Sequence, residues 1–171
     1  MSPLMKNGSL DMFINDKKYK ELDPTKKMII LYGSAVGMKF LHDNGIIHNN
    51  LKPSNILIDE LYRPYISDFM FAKYIKKTGF SSYSIRSETP FYTAPEILEN
   101  EKKNISEKAD VYSFGIIVFN MLTGQQFSDI KNIQSLANFV LEGNRPNIPS
   151  NINSFYVDLI QRCWNQSPEK R

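Results

Sequence analysis

Cysteine is almost missing from this chain of 171 residues. Cys163 stands alone, which excludes a disulfide framework and a cysteine-based zinc cluster and points to a reducing compartment. Long apolar runs are missing too. The most apolar stretch, Val111 to Leu122, is short and broken by Ser113, Gly115 and Asn120, so no membrane span is expected. No basic start followed by an apolar run and a small-residue cleavage site opens the chain, so no signal peptide is expected. Neither sign of charge dominates. Lys and Arg number 21 and Asp and Glu 18, a net +3 that argues for neither nucleic acid nor a membrane surface as partner. The short lysine clusters at Lys17, Lys18 and Lys20, at Lys73, Lys76 and Lys77, and at Lys102 and Lys103 read as solvated surface. What is present is enough for a core: 42% of residues are hydrophobic, with 11 Phe and 9 Tyr among them, which excludes disorder. The length suits one domain, and neither an internal repeat nor a low-complexity linker divides it.

The hydrophobic pattern is mostly helical. Ser9 to Ile14 predicts a short helix ending near Asn15. Asp23 is placed as the cap of a longer one, with Pro24 at its first position and Asn44-Gly45 as its stop. Met28, Leu31, Ala35, Met38 and Leu41 fall on one stripe, and Ile30, Val36 and Phe40 widen it, so this helix is expected to be largely buried. Ile46-Ile47, Ile56-Leu57-Ile58 and Tyr65-Ile66 read as small strands between polar turns. Residues 69–93 are polar and rich in Ser, Thr and Tyr, the composition of a long loop. Ser106 or an acidic neighbour is placed as the cap of a helix through Asp110 to Thr123, closed by Gly124. That helix is apolar around most of its circumference, as the central post of a core is. Helices over about 132–142 and 154–164 follow, joined by the Arg145-Pro146-Asn147-Ile148-Pro149 turn.

The polar interest is concentrated in His48-Asn49-Asn50-Leu51-Lys52-Pro53-Ser54-Asn55 and, after a hairpin, Asp68-Phe69-Met70. Lys52, Asn55 and Asp68 at strand ends could together hold an anion and a hard cation, because an amide oxygen and a carboxylate suit Mg²⁺. Each also has a bland reading alone: His48 as a core histidine, Asn55 as a turn residue, Asp68 as a cap. Order and spacing carry the case.

That order resembles the catalytic half of eukaryotic protein kinases, whose signature runs H-R-D-L-x-x-x-N, then D-F-G, then A-P-E. Here the three read H-N-N-L-K-P-S-N, Asp68-Phe69-Met70 and Ala94-Pro95-Glu96. Leu41-His42-Asp43-Asn44-Gly45-Ile46-Ile47-His48 is similar to the approach to the catalytic loop. Asp110-Val111-Tyr112-Ser113-Phe114-Gly115 is similar to the helix whose aspartate braces that loop. Gly143-Asn144-Arg145-Pro146, Cys163-Trp164 and Ser167-Pro168-Glu169-Lys170-Arg171 resemble the tyrosine-kinase-like branch. Lys52-Pro53-Ser54-Asn55 and Thr89-Pro90-Phe91-Tyr92-Thr93-Ala94-Pro95-Glu96 resemble the serine/threonine version of these loops.

The resemblance implies a mainly α fold, a kinase C-lobe with short β-hairpins under the catalytic loop, covering residues 1–171 from a hinge region onward. It implies ATP and Mg as cofactors, with Asp68 on the bridging Mg²⁺, Asn55 on the second metal, Lys52 on the transferred phosphate and Leu57 beneath the adenine. Residues 68–96 become the activation segment, and Arg171 the partner of Glu96.

The chain also departs from the pattern. Asn50 stands where the family has its catalytic base, and an amide has no basic lone pair to take a proton; such a base contributes about 10²–10⁴-fold. Asn49 replaces the arginine that reads a phosphate on the activation segment. Met70 replaces a glycine, and its Cβ excludes conformations only glycine adopts readily. Residues 3–10 resemble the hinge, so the N-lobe with its glycine-rich loop, strand lysine and partner glutamate is expected to be absent, leaving ATP one wall of its cleft. With no final helix after Arg171, an uncovered apolar patch is expected as well. The expectation is a cytoplasmic, catalytically dead or severely impaired kinase-like lobe that binds other proteins. The alternative is a piece of a longer ATP-dependent serine/threonine kinase. Ser81, Ser82, Tyr83, Ser84 and Ser87 read as loop composition before they read as phosphorylation sites. The glycosylation triplets at Asn7, Asn104 and Asn165 read as chance.

Overall fold

The computed structural model describes residues 5–16, 19, 22–74, 90–100, 105–125 and 132–171. Its elements are α1 (Leu10–Asn15), α2 (Pro24–Asp43), β1 (Ile46–Ile47), β2 (Ile56–Ile58), β3 (Pro64–Ile66), β4 (Lys73–Tyr74), α3 (Pro95–Glu99), α4 (Glu107–Thr123), α5 (Ile133–Leu141) and α6 (Ser154–Cys163). Short 3₁₀ turns lie at Pro53–Asn55, Phe69–Phe71, Pro90–Tyr92 and Pro168–Lys170. Among the described residues helix dominates, and the strands form two antiparallel pairs: β1 with β4, and β2 with β3. No described helix is long and apolar enough to cross a membrane.

The central post is α4. From Ala109 to Met121 it buries every residue except Val111, including the polar Asp110, Ser113 and Asn120. Gly124 ends it in a left-handed conformation at φ +66°, which a Cβ would disfavour. Ser106 precedes it but makes no side-chain cap bond, so the expected hydroxyl cap is not formed. Helix α6 packs across α4 at Gly115, where an added Cβ would lie 2.6 Å from Cys163 Cβ. Phe119 and Trp164 meet nearby at a tilt of 43°, with ring centroids 5.5 Å apart.

Helix α2 begins as its sequence predicts. The Asp23 carboxylate accepts the Thr25 N–H at 2.6 Å, and Pro24 occupies a position that needs no donor. Its burial is narrower than the wide apolar stripe predicts. Ile30, Leu31, Ser34, Met38 and Leu41 are buried, whereas Met28, Val36 and Phe40 are 43%, 47% and 66% exposed. Small residues mark where the rest of the lobe meets this helix. A Cβ on Gly33 would lie 2.7 Å from the Pro64 ring, and one on Gly37 3.1 Å from Ile66 Cδ1, so β3 seats directly on the helix backbone. Close approach there turns Met28, Val36 and Phe40 away, together with Tyr32, which is 70% exposed.

The 69–93 stretch is not wholly loop. Lys73 and Tyr74 pair with Ile47 and Ile46, so that β4 runs antiparallel along the strand that leads into the His48–Asn55 loop. Ser81, Ser82, Tyr83, Ser84 and Ser87 lie outside the described residues.

Candidate active site

The loop from His48 to Asn55 hangs between β1 and β2 and is held from below by one carboxylate. Asp110 on α4 is 1% exposed. Its Oδ2 accepts the His48 backbone N–H at 2.8 Å and lies 2.9 Å from His42 Nε2, and its Oδ1 accepts the Asn49 N–H at 2.8 Å. A buried carboxylate needs such donors, and these two N–H groups dictate where the loop turns. Asn49 takes a left-handed conformation at φ 61°, which asparagine tolerates better than most residues.

His48 is fully buried. Its Nδ1 accepts the Asn50 N–H at 3.3 Å, so Nε2 carries the proton and donates to the Ser67 carbonyl at 2.8 Å. The imidazole therefore ties the loop to the strand end that precedes Asp68. Ser67 closes the tie, donating its N–H and its hydroxyl to the Asn55 carbonyl at 2.9 and 3.1 Å. Phe69 meets the His48 ring edge-on, with centroids 5.3 Å apart.

On this frame stand Asn50, Asn55 and Asp68. Asp68 sits in a left-handed conformation at φ 62°, ψ 71°, and is exposed. Asn50 Nδ2 donates to Asp68 Oδ2 at 3.2 Å, and the buried Asn55 donates its own Nδ2 to the Asn50 carbonyl at 2.8 Å. That leaves Asn55 Oδ1 and the second Asp68 oxygen without hydrogen-bond partners among the described residues. Lys52 makes no ion pair among the described residues and lines a small pocket with Asn50, Tyr92, Thr93 and Ser113. Leu57, half-buried, lies on β2 opposite Ser9, and the segment before α1 completes that edge through Asn7 N–H to Ile58 O at 3.2 Å and Ile58 N–H to Gly8 O at 2.8 Å.

At the other end of the segment, Glu96 and Arg171 form a fork-on-fork pair with both N–O distances 2.8 Å. The sequence pattern described as protein tyrosine and serine/threonine kinase matches residues 1–171. The chain belongs to the protein kinase family.

Its relatives among known kinases agree. R831 of Acanthamoeba polyphaga mimivirus, named as a serine/threonine-protein kinase/receptor, is 40% identical over 85% of this chain and 9% of its own length. The serine/threonine-protein kinase CTR1 of Arabidopsis thaliana is 34% identical over 98% of this chain and 20% of its own. The dual specificity protein kinase shkD of Dictyostelium discoideum is 36% identical over 92% of this chain and 21% of its own. The kinase chain thus spans between about a tenth and a fifth of the length of these relatives.

The kinase fold brings Asn50, Asn55 and Asp68 together and sets Lys52 beside Asn50. Leu57 stands apart, on the wall formed with Ser9. Met70 causes no strain where it is: it lies within the Phe69–Phe71 turn, 74% exposed, and its φ is not positive. His42, five residues before the end of β1 at Ile47, belongs to the approach motif, and only the fold shows its bond to Asp110. Asp59 lies in none of the motifs. Buried at 5% exposure, it binds Leu61 and Arg63 N–H at 2.9 Å and Arg63 Nε at 2.7 Å, winding the turn between β2 and β3. Burial pushes its carboxyl up, but those hydrogen bonds outweigh burial and hold it below the ordinary carboxylate range.

The donor set fits a magnesium nucleotide in kind. Asn55 Oδ1 and Asp68 are hard oxygens, and Mg²⁺ takes few protein ligands, completing its shell with water and phosphate oxygens. No group of three or more His, Cys, Asp or Glu among the described residues offers a fuller protein cage.

Proposed function

We propose that this chain is a degenerate kinase C-lobe of serine/threonine type, catalytically dead or severely impaired, that serves as a protein-binding module. The observation that carries this reading is Asn50. At the position of the family's base it presents an amide, and that amide spends an N–H on Asp68 Oδ2 at 3.2 Å. A substrate hydroxyl arriving at position 50 would meet an amide, which has no basic lone pair to take its proton. His48 does not substitute, because both its ring nitrogens are committed to Asn50 and Ser67.

A magnesium nucleotide, where bound, would be held by Asp68 and Asn55, with Lys52 on its phosphates and Leu57 against its base; the metal would neutralise charge developing on the phosphoryl oxygens. What the chain's own residues do is hold those ligands: Asp110 sets the loop, His48 and Ser67 clamp the two strand ends, and Asn50 restrains Asp68. Residues 68–96 would be the activation segment. Asn49 leaves it without the arginine that would bind a phosphate there, so phosphorylation of the segment is expected to give no added order. A cytoplasmic setting accords with the single, buried Cys163.

Persistence of Lys52, Asn55 and Asp68 in one cluster favours a second reading, a piece of a longer active serine/threonine kinase. Phosphoryl transfer to a generic protein substrate, with labelled ATP and Mg²⁺, separates the two when it is measured on the longest natural form that carries this lobe as well as on the 171-residue chain. The purified 171-residue chain should transfer no more phosphate than its Asp68→Ala variant. Transfer that depends on Mg-ATP and disappears in Asp68→Ala would overturn the proposal.

A further inference from the structure

A surface helix ordinarily turns polar side chains to water, whereas the outer face of α2 is apolar. Opposite its buried side, Ile29, Tyr32, Val36 and Phe40 are 39%, 70%, 47% and 66% exposed. At about 3.6 residues per turn these four fall within about 80° of one another, on a stripe about 17 Å long. No charged residue lies between Ile29 and Val36. Lys39 and Asp43 flank the C-terminal end of the stripe and are tied to each other at 2.8 Å. Met28, 43% exposed, widens the stripe towards α6, where the Tyr156 hydroxyl lies 3.9 Å from its sulfur.

The area of this face points to its occupant. With about 150–250 Å² for a whole aromatic side chain and somewhat less for an aliphatic one, these five residues expose roughly 500 Å². A stable interface of ordinary size buries about 800 Å² per partner, and about 65% of a homodimer interface is apolar. That requires about 520 Å² of apolar surface from each copy, which this face supplies. The order of the side chains suits a second copy of the same helix running antiparallel. About a two-fold axis level with residues 34 and 35, Tyr32 comes opposite Val36 of the second copy, and Ile29 opposite Phe40. Each aromatic ring then meets a smaller aliphatic side chain, and the helix axes can approach to about 8–10 Å. Parallel pairing would instead set ring against ring at both aromatic positions. We propose that the α2 face is a homodimer interface, in which two copies of this chain pair antiparallel through Ile29, Tyr32, Val36 and Phe40. This gives the protein-binding role proposed above a partner, and it rests on that role and not on the state of the phosphate-ligand cluster.

The test uses the 171-residue chain alone, by sedimentation equilibrium from about 1 to 100 μM and by circular dichroism melts at both ends of that range. The parent should be a dimer with a dissociation constant in the micromolar range or below, and its melting temperature should rise with concentration. Tyr32→Glu and Val36→Lys each place a charge inside the pair and should raise the dissociation constant at least about a hundredfold. Both positions are exposed in the single chain, so neither substitution touches its core. Mixed in equal amounts, the two variants should associate again. Antiparallel pairing sets the new carboxylate against the new ammonium at one contact and leaves Tyr32 on Val36 at the other. Recovery in the mixture also shows that both variants are folded.

The proposal is overturned if the parent is monomeric at about 100 μM, if its dimer survives both substitutions, or if the mixed variants stay apart while the parent pairs. A monomeric chain that holds a different protein on this face overturns it as well, yet leaves the protein-binding role standing. None of these outcomes depends on phosphate transfer, so the two proposals fail separately.

Discussion

Changing Glu96 to glutamine should cost the lobe about 3 kcal/mol. The Arg171 side chain is fully buried and that of Glu96 only 15% exposed, and the pair shares two bonds of 2.8 Å. Removing one partner of a buried pair typically costs about 3–5 kcal/mol, because the charge left behind is neither hydrated nor balanced. Arg171 would keep its bonds to the carbonyls of Asn165 at 2.7 Å, Lys108 at 3.0 Å and Gln166 at 3.1 Å, which places the loss at the lower end. A second cation adds to it. Arg145 and Arg171 lie over the Tyr112 ring, with guanidinium carbons 5.1 and 5.2 Å from its centroid. Burial already pulls Arg145 down, and Arg171 adds to that pull. The same burial pushes the Tyr112 phenol up to about 12, against the pull of both arginines.

For a chain of this size about 3 kcal/mol corresponds to a melting temperature lower by about 6–12 °C. Circular dichroism melts of parent, Glu96→Gln, Arg171→Met and the double variant would measure it, with urea titrations supplying free energies. The double variant should lose less than the sum of the singles by about 2 kcal/mol or more. Because the pair is buried, the effect should persist in 0.5 M salt, about the strength at which exposed pairs are largely screened. A Glu96→Gln melt within about 1 °C of the parent, or strictly additive losses, would refute the reasoning.

Gly115→Ala should lower stability by about 1–3 kcal/mol despite alanine's better helix propensity, because the new Cβ would meet Cys163 Cβ at 2.6 Å and Trp164 N at 3.1 Å; urea unfolding measures it. Cys163 should resist alkylation in the folded chain, since burial pushes its thiol up to about 11 and only 8% of the residue is exposed; intact-mass detection of iodoacetamide adducts should show labelling only after unfolding. Asp59 should make the lobe acid-labile. Its folded carboxyl lies below the ordinary 3.8, so its contribution is present above that value and is lost as pH falls through the lower folded value. Asp59→Asn should therefore flatten the dependence of melting temperature on pH below about pH 4.

Much of the lobe is determined locally and is therefore legible in the chain. Pro24 after Asp23, Gly124 after Thr123 and the asparagine caps at Asn132 and Asn153 act within a turn of their own helix, and each element starts or stops beside them. The order of His48, Asn50, Lys52, Asn55, Asp68 and Glu96 also belongs to the sequence, as does the chemical fact that Asn50 carries an amide. Tertiary structure decided the rest, because it depends on which surfaces meet. Apolar periodicity cannot tell the side of α2 that receives β3 from the side left exposed; Gly33 and Gly37 decide it by admitting Pro64 and Ile66. The Asn50 bond to Asp68 joins residues 18 apart and exists only because His48, Ser67 and Asp110 bring two strand ends together. A residue's chemistry is written in its side chain, whereas its partner is chosen by long-range packing, and here that packing set a hydrogen-bond donor against the carboxylate.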